Sequence, residues 1–135
     1  RRQCGICAAC MLRRVSMFTA GIEEPAETYI WERLTTERLE DGVAAGFTKM
    51  TSKMQSYAIA GVLHMDHLAD LAESPLHARS LRRAARETAE ALDGDPEAVE
   101  QQLREMLERH SAEWRGFRHA LGPDSFVARL ASTRL

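Results

Sequence analysis

Ser74-Pro75-Leu76-His77-Ala78-Arg79-Ser80-Leu81-Arg82-Arg83-Ala84-Ala85-Arg86-Glu87-Thr88-Ala89-Glu90-Ala91-Leu92-Asp93-Gly94-Asp95-Pro96 reads as a helix, opened by Ser74-Pro75 and stopped at Gly94, with its own punctuation at either end. Ser74 before Pro75 is an N-cap followed by a first-turn proline, whose missing N–H would have no intrahelical partner anyway. The residues after it are mostly alanine, arginine, leucine and glutamate, all strong helix formers, and Gly94 is the expected stop. Asp95-Pro96 repeats the start signal at once, so two helices meet at a tight turn.

Working outward, the same grammar covers the rest of the chain. The helix opened by Pro96 carries Val99, Leu103, Met106, Leu107, His110, Trp114, Phe117 and Leu121 at spacings of one, three and four. Gly122-Pro123 ends it, and Asp124 or Ser125 caps a last short helix with Phe126, Val127 and Leu130. On the N-terminal side a helix over about 49–73 is expected to bury Met50, Met54, Tyr57, Val62, Met65, Leu68 and Leu71. Before it, a short helix over 8–20 ends at Gly21 as its C′ residue. Pro25 opens another over roughly 25–34, and Gly42 ends a further short element. β-branched and aromatic residues are sparse, so no strand is predicted. The expected fold is all-α: a bundle of four to six helices preceded by a cysteine-rich turn, with short loops making neighbours antiparallel. Residues 1–34 form the metal-binding segment and 35–135 a helical domain packed on it as one compact unit.

Composition limits the function classes. The chain has 135 residues, 44% hydrophobic and 28% charged, which fits a folded domain and not a disordered tail. There is no run of 18 apolar residues, so no membrane span is predicted. A net charge of −2 argues against nucleic-acid binding through bulk charge. The charge is segregated, however. Residues 1–20 hold Arg1, Arg2, Arg13 and Arg14 and no acid, whereas residues 21–48 hold Glu23, Glu24, Glu27, Glu32, Glu37, Glu40 and Asp41 against Arg33 and Arg38. The chain begins at Arg1-Arg2, without an initiator methionine or a signal-like apolar stretch, three residues before a cysteine motif. It is therefore expected to be the C-terminal piece of a longer protein.

The 3 cysteines, Cys4, Cys7 and Cys10, form a C-x2-C-x2-C run. A disulfide framework would spread an even number along the chain, whereas this clustering reads as metal ligands in a reducing compartment, by default the cytoplasm. Zinc takes four ligands in a tetrahedron, and thiolates two residues apart reach one ion from a tight turn, which Gly5 suits. Arg13 and Arg14 favour the thiolate form. The fourth ligand is either one of His64, His67, His77, His110 and His119 or lies upstream of Arg1. A [4Fe–4S] cluster of the bacterial ferredoxin type would need a cysteine where Arg14 stands and a proline where Val15 stands.

Cys4-Gly5-x-Cys7-x-x-Cys10-x-x-Arg13, then Phe18, Gly21-Ile22-Glu23-Glu24-Pro25 and Tyr29, resembles the C-terminal zinc segment of the QueC family, the 7-cyano-7-deazaguanine synthases of the queuosine and 7-deazapurine pathway. The resemblance covers about residues 4–34. It implies that Cys4, Cys7 and Cys10 are three zinc ligands, the fourth being a cysteine about nine residues before the run. It also implies a parent that is an ATP-dependent ligase, turning 7-carboxy-7-deazaguanine and ammonia into a nitrile through an adenylated carboxylate. The family's ATP site is a Ser-Gly-Gly-x-Asp-Ser loop on a Rossmann-like sheet, and this chain has no such loop, so alone it is expected not to catalyse. Housekeeping members finish soon after the zinc segment. The long helical continuation is similar instead to QueC-like proteins of bacterial anti-phage defence operons, among them a subunit of the Qat system. The expected partners are the catalytic half of the parent, a second copy or defence-system subunits. The reading from another class is a standalone zinc-stabilised helical module that binds protein or nucleic acid.

Other constellations carry weaker signals. His64, Asp66, His67 and Asp70 fall within two helical turns, as a metal or acid–base site would, or as a polar helix face would. Arg79, Arg82, Arg83 and Arg86 form a basic stripe suited to phosphate or an acidic surface, diluted by Glu87 and Glu90. Met50, Met54, Met65, Trp114 and Phe117 are core residues by spacing.

Overall fold

In the computed structural model, which describes residues 2–132, the chain forms five α-helices. These are α1 Ala8–Thr19, α2 Ser52–Glu73, α3 Ala78–Leu92, α4 Pro96–Leu121 and α5 Phe126–Ser132. Short 3-10 helices at Ala26–Thr28, Leu39–Gly42 and Pro75–His77 fill connections. In place of strands the described residues hold two isolated bridges, Gln3 with Tyr29 and Trp31 with Val43. The class is all-α, as the periodicity implies. Among the described residues no helix is long and apolar enough to cross a membrane.

The caps explain the helix ends. Asp95 accepts the backbone N–H of Ala98 at 3.1 Å and of Glu97 at 3.4 Å, opening α4. Ser125 Oγ accepts from Ala128 at 3.2 Å, opening α5. Gly21 takes φ +66° after α1, with Ile22 N–H on the Met17 carbonyl and Gly21 N–H on the Phe18 carbonyl, the doubly bonded stop that a left-handed glycine permits. Three ends differ from expectation. Ser74 makes no side-chain cap and Pro75 opens only a 3-10 turn over Pro75–His77, so α3 begins at Ala78. Thr51 Oγ1 accepts from the Met54 N–H at 3.3 Å, so α2 starts at Ser52 and excludes Met50. At the end of α3 it is Asp93, at φ 52°, that turns left-handed, ahead of Gly94; a short polar side chain tolerates this conformation.

The chain divides into two units, one made of residues up to Asp66 together with those from Glu113 onward, the other of His67–Ala112. The first buries Ile6, Met11, Val15, Trp31, Val62, Trp114, Phe126 and Val127. Asp66 is tied down within it, accepting from Trp114 Nε1 at 3.0 Å and Arg118 at 2.9 Å. The Phe126 N–H bonds the Thr36 carbonyl at 2.8 Å, docking the start of α5. The second unit buries three alanines and two leucines, Ala69, Leu81, Ala85, Ala89 and Leu107, and Ser111 donates to Glu73. Its arginine stripe is solvated, Arg83 pairing with Glu87 on the exposed face of α3.

Two expectations require correction. No α-helix covers 25–34; a single 3-10 turn gives way to extended backbone at Tyr29. The Ile30 and Trp31 N–H groups bond the Gln3 and Cys4 carbonyls, and the Ala44 N–H bonds the Ile30 carbonyl, so cross-chain partners replace a helical ladder. Thr28, Tyr29, Ile30 and Trp31 are β-branched or aromatic, types that favour this backbone. Tyr57, expected in the core, is 53% exposed on α2.

Candidate metal centre

The cysteine run sits where α1 begins. Cys7 is the last non-helical residue, in extended conformation, and Cys10 lies within the first turn of α1. Gly5, at φ +89°, makes the bend that returns Cys4 toward Cys10. Its missing side chain matters as well, since a Cβ there would lie 3.0 Å from the Tyr29 Cβ and 3.1 Å from the Trp31 carbonyl oxygen. On the other side α2 approaches through Gly61, where a Cβ would be 2.6 Å from the Ile6 carbonyl oxygen and 3.1 Å from the Ala8 nitrogen. The turn is thus clamped between the 29–31 segment and α2.

The Cys4, Cys7 and Cys10 sulfurs all lie within 4.8 Å of one another, and the Cys4 and Cys10 sulfurs are 3.6 Å apart. A tetrahedral ion with metal–sulfur bonds of about 2.3 Å needs sulfurs about 3.8 Å apart. The three thiols can therefore hold one metal ion with little rearrangement. The Cys7 N–H points at the Cys4 sulfur at 3.5 Å, and Gln3 Oε1 stands 4.0 Å from the Cys10 sulfur.

The electrostatics are uneven across the cluster. Burial works against charge on Cys4, but hydrogen bonds from the Ile6 and Cys7 backbone and from the neighbouring thiols outweigh it and lower its pKa. Burial pushes the Cys10 thiol up to about 12, with the Cys4 and Cys7 sulfurs adding to the effect against a Gly5 backbone hydrogen bond. The shifts run in opposite directions on the two sulfurs, as interacting neighbouring acids do.

Around the turn, residues from distant points assemble. Glu24 accepts from the Tyr29 hydroxyl at 2.6 Å and from Arg13 Nε at 2.8 Å. The Arg14 guanidinium stacks 3.8 Å from the Tyr29 ring centroid and donates to the Trp31 carbonyl. Burial lowers the Arg14 pKa, an effect partly offset by Tyr29, Cys10 and Glu24. Trp31 donates from Nε1 to the Leu39 carbonyl at 2.9 Å and meets Phe47 edge-on at 5.7 Å.

Among the described residues, no histidine and no carboxylate joins the three sulfurs. His64 and His119 are exposed, His110 is half-buried on α4, and His67 lies edge-on to His77 at 5.5 Å. The His64–Asp70 cluster does not assemble as a metal site, because Asp66 is committed to Trp114 and Arg118. Sequence reasoning missed Gly61. Its signal was a glycine inside an apolar helical run, which marks either a weak point or a close backbone approach.

No family model, curated protein or solved structure matches this chain.

Proposed function

We propose that the chain is the zinc-binding and helical part of a QueC-like, ATP-dependent ligase acting on a 7-deazaguanine-type carboxylic acid, in a cytoplasmic bacterial anti-phage defence protein. The observation that carries this reading is the meeting of Arg13, Glu24 and Tyr29 in one hydrogen-bonded set beside the thiol cluster. These are positions of the resemblance, separated in sequence, that meet beside the thiols. Soft thiolates on a tight turn suit zinc. The ferredoxin alternative is disfavoured because the position needed for its fourth cysteine is Arg14, which bonds the Trp31 carbonyl.

In this reading the zinc is structural. Cys4, Cys7 and Cys10 supply three ligands, and the fourth comes from the part of the parent before Arg1. The ion braces the junction with the half that binds ATP and forms the nitrile or amide. Reading the coding sequence on the 5′ side of the Arg1 codon tests this. A cysteine about nine residues before Cys4 and a Ser-Gly-Gly-x-Asp-Ser loop further up would support it, and a start codon immediately before Arg1 would overturn it.

A second reading, a zinc-stabilised helical module that binds another protein, is favoured by one feature of α2. That helix exposes Tyr57, Ile59 and Leu63, large apolar side chains that an isolated surface helix would keep few of. ATP turnover by the 135-residue chain alone would contradict both readings.

A further inference from the structure

Two of the three thiols are already in contact. The Cys4 and Cys10 sulfurs stand 3.6 Å apart, against about 2 Å in a disulfide, so about 1.6 Å of travel closes a bond between them. Side-chain rotation at two partly constrained residues covers that distance. Cys7 lies within 4.8 Å of both.

The local backbone favours this pair over the two that include Cys7. Cys7 and Cys10 both belong to the opening turn of α1, where the Met11 N–H bonds the Cys7 carbonyl at 2.8 Å. Joining them would pull on that turn. Cys4 lies outside the helix, beyond the left-handed Gly5, and can swing toward Cys10 without disturbing a helical hydrogen bond. The Trp31 N–H on the Cys4 carbonyl at 3.1 Å, and α2 pressed against the turn at Gly61, hold the backbone that keeps the two sulfurs adjacent. Exposure divides their roles. Cys4 is half-buried and Cys10 only 8% exposed, so a small oxidant from solvent meets Cys4 first and finds Cys10 behind it. An accessible cysteine with a neighbouring resolving cysteine is the arrangement of a reversible oxidation site.

We propose that Cys4 and Cys10 form an oxidative modification site, which hydrogen peroxide converts to an intrachain disulfide, leaving Cys7 as the single thiol. The Cys4 sulfur attacks one peroxide oxygen and the O–O bond breaks. The departing oxygen takes up the thiol proton and leaves as water, and Cys4 becomes a sulfenic acid. The Cys10 sulfur then attacks the Cys4 sulfur, the S–O bond breaks, and the second oxygen leaves as water with the Cys10 proton. One peroxide is reduced to two waters while two thiols lose two electrons. The disulfide removes two of the three thiolate ligands, so the turn releases its metal, and a thiol reductant restores it. Metal release rests on the zinc reading; the disulfide does not.

The test treats the zinc-loaded 135-residue chain with excess hydrogen peroxide, blocks free thiols with N-ethylmaleimide, reduces, and alkylates again with iodoacetamide. Tandem mass spectrometry of the tryptic peptide spanning residues 3–13 should place the first label on Cys7 and the second on Cys4 and Cys10. Zinc should reach a chromophoric chelator as the disulfide forms, and dithiothreitol should restore its binding. In metal-free form Cys7→Ser should still close the bond, whereas Cys10→Ser should stop at a sulfenic acid that dimedone traps. A disulfide that includes Cys7, one that joins two chains, oxidation that runs on to sulfinic acid, or zinc retained by the oxidised chain would each overturn the proposal. If the chain takes up no zinc, the metal reading falls, and the labelling pattern of the metal-free chain decides the disulfide by itself.

Discussion

Gly61 of α2 lies against the Ile6 carbonyl so closely that a Cβ at position 61 would stand 2.6 Å from the oxygen. The acceptor is backbone inside the Cys4–Cys10 turn, so it cannot move aside as a flexible side-chain tip would. Gly61→Ala sets two effects in opposition. Alanine gains about 1 kcal/mol of helix propensity, while overpacking a tight contact costs about 1–3 kcal/mol. The clash should win, lowering the thermal midpoint of the chain and weakening its hold on zinc in competition with a chromophoric chelator. A variant more stable than the parent, with unchanged zinc affinity, would show that the turn yields freely.

The thiol cluster makes a stoichiometric prediction. The purified chain should carry close to one equivalent of zinc, and Cys4→Ser, Cys7→Ser and Cys10→Ser should each lower it sharply. His64→Ala with His67→Ala should leave it unchanged, since neither histidine joins the sulfurs. Because metal bound to the folded state stabilises it by mass action, about 2.7 kcal/mol at a hundredfold excess over Kd, chelation should shift the melting curve down in the parent. It should do little in the serine variants. Elemental analysis and calorimetry check both halves.

Glu24 links acid stability to the same region. The Tyr29 hydroxyl holds its carboxyl below the ordinary value of 4.5, with Arg13 and Arg14 adding to the effect against a burial cost. A carboxylate with a depressed folded pKa contributes stability that is present above its unfolded pKa and lost as pH falls through the folded one. With metal chelated throughout, the parent should therefore lose stability below about pH 4.5 more steeply than Glu24→Gln. Parallel curves for the two proteins would contradict this role.

Asp66 should prove structural. It accepts from Trp114 Nε1 and from Arg118 within the first unit. Asp66→Ala leaves an indole N–H in the core and a half-buried guanidinium unpaired, at a cost of roughly 1–3 kcal/mol. Asp66→Asn retains an acceptor for the indole and should cost less. Urea unfolding followed through tryptophan fluorescence measures both, and zinc content should stay the same in each.

Much of this architecture is legible in the chain because it is local. The Gly21 stop, the Asp95 and Ser125 caps and the 3.6-residue periodicities depend on neighbours within a few positions, and they reappear with the bonds expected of them. The thiol cluster is local in the same sense, since two-residue spacing and a glycine bring the sulfurs together through a single turn. Where the reading failed, distant partners decided. The 25–34 stretch has a helix-opening proline, but its backbone donors found the Gln3 and Cys4 carbonyls. A local start signal cannot outweigh cross-chain hydrogen bonds to β-branched and aromatic residues.

The sequence by itself determined that this protein is helical, where most of its helices stop, and which three side chains can hold a metal, because each is written in short-range spacing. Only the tertiary structure decided that Gly61 clamps the cysteine turn, that Asp66 serves Trp114 and Arg118 in place of a histidine site, and that the Thr36 carbonyl takes the Phe126 N–H. Those relationships join residues tens of positions apart, and packing, unlike periodicity, leaves no repeat in the chain to announce it.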